Sequence, residues 1–147
     1  MPSPTPRHRD IVFSIHLALR QYLKEYGIPG RSFSDVEFSL SDQLRLRPDV
    51  CALMAEKARQ LDLDRSPIPG VPDLAIEVIS PSERASDSYD KVQACLRNGT
   101  AEVWQFYPKS RTLQIHRAGT STSVEADQEL TSSLLPGFSA LVSSFFE

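Results

Sequence analysis

Cysteine is nearly missing from this chain, with only Cys51 and Cys95 among 147 residues. Neither has a second Cys or His at metal-ligand spacing, so both read as small apolar packing residues in a reduced, cytoplasmic setting. Long apolar runs are missing too. No stretch approaches the roughly 18–20 residues that span a bilayer, and the start, Met1-Pro-Ser-Pro-Thr-Pro-Arg7, lacks the apolar segment of a secretory signal. There is no excess of positive charge: 16 Lys and Arg face 19 Asp and Glu, for a net charge of −3. That argues against a protein that coats nucleic acid by bulk electrostatics, although a local basic groove stays open. A Gly-x-Ser-x-Gly elbow and a phosphate-cradling Gly-rich loop are absent, which removes two common hydrolase and nucleotide-binding templates.

The composition that remains is ordinary for a globular chain, with 40% hydrophobic and 24% charged residues. Its length predicts one domain over residues 1–147, with no internal repeats. Ile11, Ile15, Leu19, Tyr22 and Tyr26 recur at helical spacing. Thr5-Pro6 as a start and Gly27 as a stop place this first helix at about 6–26. The period then changes to two through Val36, Phe38 and Leu40, with Ser41-Asp-Gln43 as a turn before Leu44 and Leu46. Val50 to Met54 is a short apolar strand, and Ala55 to Gly70 reads as an exposed connection. Leu74 to Ile79 is apolar apart from Glu77, the pattern of a strand covered on both faces. A helix ending near Asn98-Gly99 follows, then a hairpin of Val103–Tyr107 and Thr112–His116. The chain closes with a polar stretch, Leu134-Leu-Pro-Gly-Phe138 and a short apolar tail. This order predicts an α/β fold, a central mixed sheet flanked by helices.

Three carboxylates are candidates for metal chemistry: Asp49, Asp73 and Glu77. A hard cation such as Mg²⁺ takes oxygen ligands, commonly one or two carboxylates plus water and phosphate. Asp73 and Glu77 lie on one face of one strand but about 13 Å apart at about 3.3 Å per residue, too far to share an ion. Asp49 comes from a different strand, and neighbouring strands lie about 4.8 Å apart, so Asp49 is the better partner for Glu77. Asp73 then reads as a residue at the start of its strand. A carboxylate amid an apolar strand is costly unless paired or metal-bound, which gives Glu77 the strongest claim to a site role. Lys91 falls at the edge of a buried stripe expected from Tyr89, Val92 and Leu96, on the Cys95 side, where its stem could carry the ammonium toward the sheet. Taken alone, a solvated helix lysine is the commoner outcome. His8, His16 and His116 have no ligand-spaced partners and read as surface residues.

Arg47-Pro-Asp-Val50, Val71-Pro-Asp-Leu-Ala-Ile-Glu-Val-Ile-Ser-Pro-Ser82, Asp90-Lys91, Gly99, Glu102-Val-Trp104 and Leu135-Pro-Gly-Phe138, in this order, resemble the Uma-two family of restriction-endonuclease-like proteins. The resemblance runs from about His8 to Phe146 and implies a branch of the PD-(D/E)xK nuclease superfamily, with members that pair as homodimers. It gives Asp49 the role of the Pro-Asp carboxylate and Glu77 that of the (D/E) residue, with Mg²⁺ or Mn²⁺ as the cofactor and DNA as the substrate. The superfamily lysine would stand at Ile79; the family pattern instead carries one on the following helix, matched by Lys91. Cys95 stands where the family has a tyrosine and Tyr107 where it tends to have an acidic residue, departures that weaken the case for full activity. Two readings therefore stand beside the endonuclease: an inactive nuclease fold kept for binding or assembly, and a hydrolase of another phosphate ester.

Overall fold

A computed structural model describes residues 4–147. The first amphipathic run becomes α1, Pro6–Glu25, capped by Thr5, whose Oγ1 accepts the His8 N–H at 3.1 Å. After it come β1 (Gly30–Ser34), β2 (Phe38–Ser39), β3 (Arg45–Leu46), β4 (Val50–Met54), α2 (Ala55–Arg59), β5 (Ile68–Pro69) and β6 (Leu74–Val78). The second half holds α3 (Ala85–Arg97), β7 (Glu102–Tyr107), β8 (Thr112–Arg117), β9 (Thr120–Val124), β10 (Glu129–Ser132), β11 (Leu135–Leu141) and a 3₁₀ turn at Val142–Phe146.

Six strands form the main sheet in the order β1-β4-β6-β7-β8-β9. All neighbours are antiparallel except β6 and β7, which run parallel because α3 carries the chain back between them. The sheet is therefore mixed and flanked by helices, as the order of elements predicts. Alternation assigns its two faces. Val50, Ala52, Leu74, Ile76, Val78, Trp104, Phe106, Leu113 and Ile115 pack with α1 and the C-terminal strands in one core. Cys51, Leu53, Ala75 and Val103 point the other way and pack under α3 and the small β3-β2-β5 sheet. Both cysteines are free and buried in this second core, and burial pushes each thiol up to about 12.

The Leu-Pro-Gly-Phe segment is a docking strap. Tyr22 Oη donates to the Pro136 carbonyl at 2.6 Å, and Phe138 packs edge-on against the Tyr22 ring at 5.5 Å. Gly137 has φ +83°, and a Cβ there would lie 2.8 Å from the Tyr26 ring, so a side chain is excluded on both counts.

Several expectations need correction. Residues 55–70 are not a bare connection, since α2 and β5 lie within them. β1 carries no apolar alternation, β9 and β10 fall in the stretch that reads as polar, and β11 runs through the Leu-Pro-Gly-Phe segment; pairing with a formed sheet or hairpin partner, rather than side-chain pattern, makes these strands. On α3 the buried residues are Ser88, Val92 and Cys95, while Tyr89 is 63% exposed. That rotation matters for Lys91, which lies between Ser88 and Cys95 on the helix and so is turned toward the sheet.

Candidate active site

Asp49 stands one residue before β4, and the β4–β6 ladder pairs Val50 with Ile76, Cys51 with Ala75 and Ala52 with Leu74. Beyond Val50 the strands part, and the Asp49 carboxylate takes over from the ladder: its Oδ2 accepts the Val78 N–H at 2.8 Å. That bond holds the carboxylate at the opening between the strands, next to Glu77. The strand register thus brings Asp49 and Glu77 together, as spacing suggests. Asp73 is elsewhere. Its Oδ2 accepts the Met54 N–H, and its Oδ1 lies 3.7 Å from Lys57 Nζ, so it ties the start of β6 to the end of β4.

Glu77 is half-buried and pairs in register with Gln105 on β7. Its carboxyl is held well above the usual carboxylate range, first by burial and then by the charge of Asp49; Lys91 pulls the other way, and Glu83 adds a smaller upward push. Lys91 Nζ donates to Glu83 Oε1 at 3.1 Å, and Glu83 Oε2 accepts from Ser88 Oγ at 2.7 Å. Burial alone would lower the Lys91 pKa, but Glu77, Glu83 and Asp49 outweigh it and hold the ammonium above its ordinary value. At neutral pH Lys91 is therefore a cation and a hydrogen-bond donor, not a base. Glu77, Ile79, Glu83, Ser88, Lys91 and Gln105 line a small space of ≈ 10 Å³. That is room for one water or ion and not for an organic ligand.

Two carboxyls pressed together at a strand opening, with only one ammonium nearby, form a donor set that suits a hard divalent cation. Among the described residues no group of three or more His, Cys, Asp and Glu is arranged around one point. The protein would thus supply two oxygens, leaving further positions for water and phosphate, as Mg²⁺ prefers.

The raised Glu77 pKa has a consequence for stability. The folded chain holds this proton more tightly than the unfolded chain, so the usual behaviour of a carboxylate is reversed. The contribution is complete below the ordinary Glu pKa and is lost as pH rises through the folded value. Melting curves of metal-free protein should show this decline with rising pH, and Glu77→Gln, which cannot ionise, should flatten it. Parallel profiles for the two proteins would refute the assignment.

Sequence reasoning missed three participants. Glu83, in what reads as a simple polar turn, anchors Lys91. His116 is not a free surface residue: it is half-buried, with Nε2 2.7 Å from Gln105 Oε1 and Nδ1 2.7 Å from Ser121 Oγ, and burial lowers its pKa. His8, also expected at the surface, lies against Asp49. Only His8 offered a signal, a polar ring in the first turn of a capped helix.

The sequence model of a family named Uma2, described as "Putative restriction endonuclease", matches residues 1–143. No curated protein matches the chain. Among solved structures, one described as "a putative nuclease belonging to DUF820" from Anabaena variabilis is similar with a TM-score of 0.83. The two sequences are 20% identical, and the match covers 99% of this chain and 83% of that one. At that identity the likeness concerns the fold, a nuclease-like mixed sheet between helices. No helix of the described residues is long and apolar enough to cross a membrane.

Proposed function

Since the chain belongs to the Uma2 family, we propose that it is a metal-dependent endonuclease hydrolysing phosphodiester bonds in DNA, with Asp49, Glu77 and Lys91 as its working residues. The observation that carries this reading is the meeting of Asp49 and Glu77 at the opening between β4 and β6, with the Lys91 ammonium held beside them. Asp49 and Glu77 would hold Mg²⁺ or Mn²⁺. Such a cation supplies charge neutralisation at the scissile phosphate and acidifies water there. Lys91, kept protonated by its carboxylate neighbours, donates hydrogen bonds to the oxygens on which negative charge builds up. Glu83 holds that ammonium in place before substrate arrives. Glu77 must give up its proton to take the metal, so metal binding should weaken as pH falls.

The reading includes a homodimer in the cytoplasm. Phe13 and Leu17, one turn apart and 65% and 45% exposed on α1, offer apolar surface for pairing. Sedimentation equilibrium checks the mass.

The test combines cleavage with binding. Plasmid, linear and single-stranded DNA are incubated with Mg²⁺ or Mn²⁺, with Glu77→Ala in parallel. In melting experiments, Mn²⁺ at 100 times its Kd stabilises a one-site protein by about 2.7 kcal/mol. For a chain of this size that corresponds to a rise of about 5–10 °C. The rise should appear in the wild type and vanish in Glu77→Ala. The net charge of −3 favours a second reading, a nuclease fold retained for binding or assembly. Metal-independent folding with no cleavage of any DNA would select it.

A further inference from the structure

Asp49 has a neighbour that no strand supplies. The Thr5 cap fixes His8 at the third position of α1, and from there the imidazole reaches the opening between β4 and β6. Its Nε2 lies 3.5 Å from Asp49 Oδ2, with side-chain exposures of 17% and 22%. Nδ1 is buried without a hydrogen-bond partner. A ring in the first turn of a helix could turn its polar atoms to water, and leaving a buried nitrogen unpaired costs about 1–3 kcal/mol. A ring docked at that cost against one carboxylate needs an explanation in what it does to that carboxylate.

The contacts of Asp49 suggest one. The Val78 N–H and the His8 Nε2 both fall on Oδ2. Two groups on a single oxygen fix the rotation of the carboxylate and leave Oδ1 for a ligand. We propose that His8 is a positioning residue of the Asp49–Glu77 centre, orienting Asp49 for a divalent cation and tying α1 to the site. This rests on the metal-dependent reading above. His8 acts through Asp49 and makes no contact with substrate. Partners that orient metal-binding carboxylates typically change affinity by about 10–100-fold when removed.

The experiment is a calorimetric titration of the full chain with Mn²⁺, joined to the EPR spectrum of the bound ion. It compares wild type, His8→Ala, His8→Gln and Asp49→Ala. His8→Ala should weaken Mn²⁺ binding by about 10–100-fold and alter the EPR line shape. His8→Gln, which keeps an N–H donor near the Nε2 position, should recover affinity and spectrum toward wild type. The metal-free melting temperatures should not follow this order, because the role concerns the ion and not the fold. Wild-type Mn²⁺ affinity in His8→Ala, alongside lost affinity in Asp49→Ala, overturns the proposal alone. So does a Gln variant as weak as Ala with equally lowered melting temperatures. A wild-type protein that binds no Mn²⁺ overturns the metal reading itself and this proposal with it.

Discussion

Glu77→Ala is expected to reduce metal-dependent DNA cleavage by about 10³-fold or more. A bound cation contributes several kcal/mol of charge stabilisation at a phosphate, and each 1.36 kcal/mol is about tenfold in rate. Two protein oxygens hold the proposed ion, so removing one removes half of its protein ligands. Asp49→Ala should show a loss of similar size and also disturb the strand opening, since it strips the Val78 N–H of its acceptor. Glu77→Gln separates charge from shape: it keeps the side chain's volume but offers no anionic oxygen, so it should be as inactive as alanine while folding at least as well. Lys91→Ala should cost less than Glu77→Ala, because the Lys91 side chain is 48% exposed and solvent can take over part of its work. Single-turnover cleavage with Mn²⁺ measures all four variants. Full activity in both Glu77→Ala and Asp49→Ala would end the endonuclease reading.

Glu102→Ala is expected to destabilise the fold by about 2–4 kcal/mol, because it strips two buried donors of their acceptor at about 1–3 kcal/mol each. Glu102 is 2% exposed and takes three donors: Trp104 Nε1 at 2.9 Å, Arg117 Nε at 2.8 Å and Ser132 Oγ at 2.7 Å. Alanine leaves a buried indole N–H and a buried hydroxyl without this acceptor, while Arg117, whose side chain is 38% exposed, can turn its guanidinium to water. The network joins β7, β8 and β10, so its loss should loosen the C-terminal strands on the sheet. Glu102→Gln should cost less, because its carbonyl can still accept from Trp104 and Ser132 while its amide opposes Arg117. Urea unfolding, read by Trp104 fluorescence, gives the difference. A loss below about 1 kcal/mol for alanine, the worth of an ordinary net hydrogen bond, would show that water repairs the network. Because Glu102 lies on the sheet face opposite Glu77, a mild loss of stability should leave Mn²⁺ binding intact.

Glu102 also shows where sequence reading stops. It begins a strand in the Glu-Val-Trp segment, and its burial follows from Ser132, 30 positions later, and from Arg117 on the neighbouring strand. No local pattern encodes those partners. The same limit applies to β1 and β9, at the two edges of the main sheet. Apart from Phe33 and Val124 their side chains are small, polar or charged, and they extend because an adjacent strand offers its backbone groups. The α1 register, the β6 strand, the α3 boundaries and the β7–β8 hairpin were legible because periodicity, caps and turn residues act within a few positions.

The sequence by itself determined that Glu77 was anomalous, a carboxylate in an apolar strand, and strand geometry ruled out Asp73 as its companion. It also located the turns and helix ends that make an α/β fold with a mixed sheet. Only the tertiary structure decided that β4 and β6 part after Val50, so that Asp49 replaces a ladder acceptor beside Glu77. It also decided that the buried side of α3 runs through Ser88, Val92 and Cys95, that Glu83 holds Lys91, and that His8 reaches Asp49 from the first turn of α1. The physical reason is common to all four. Each depends on strand register or helix rotation set by the whole core, and a shift of one residue in a strand or about 100° on a helix turns a side chain away from its partner.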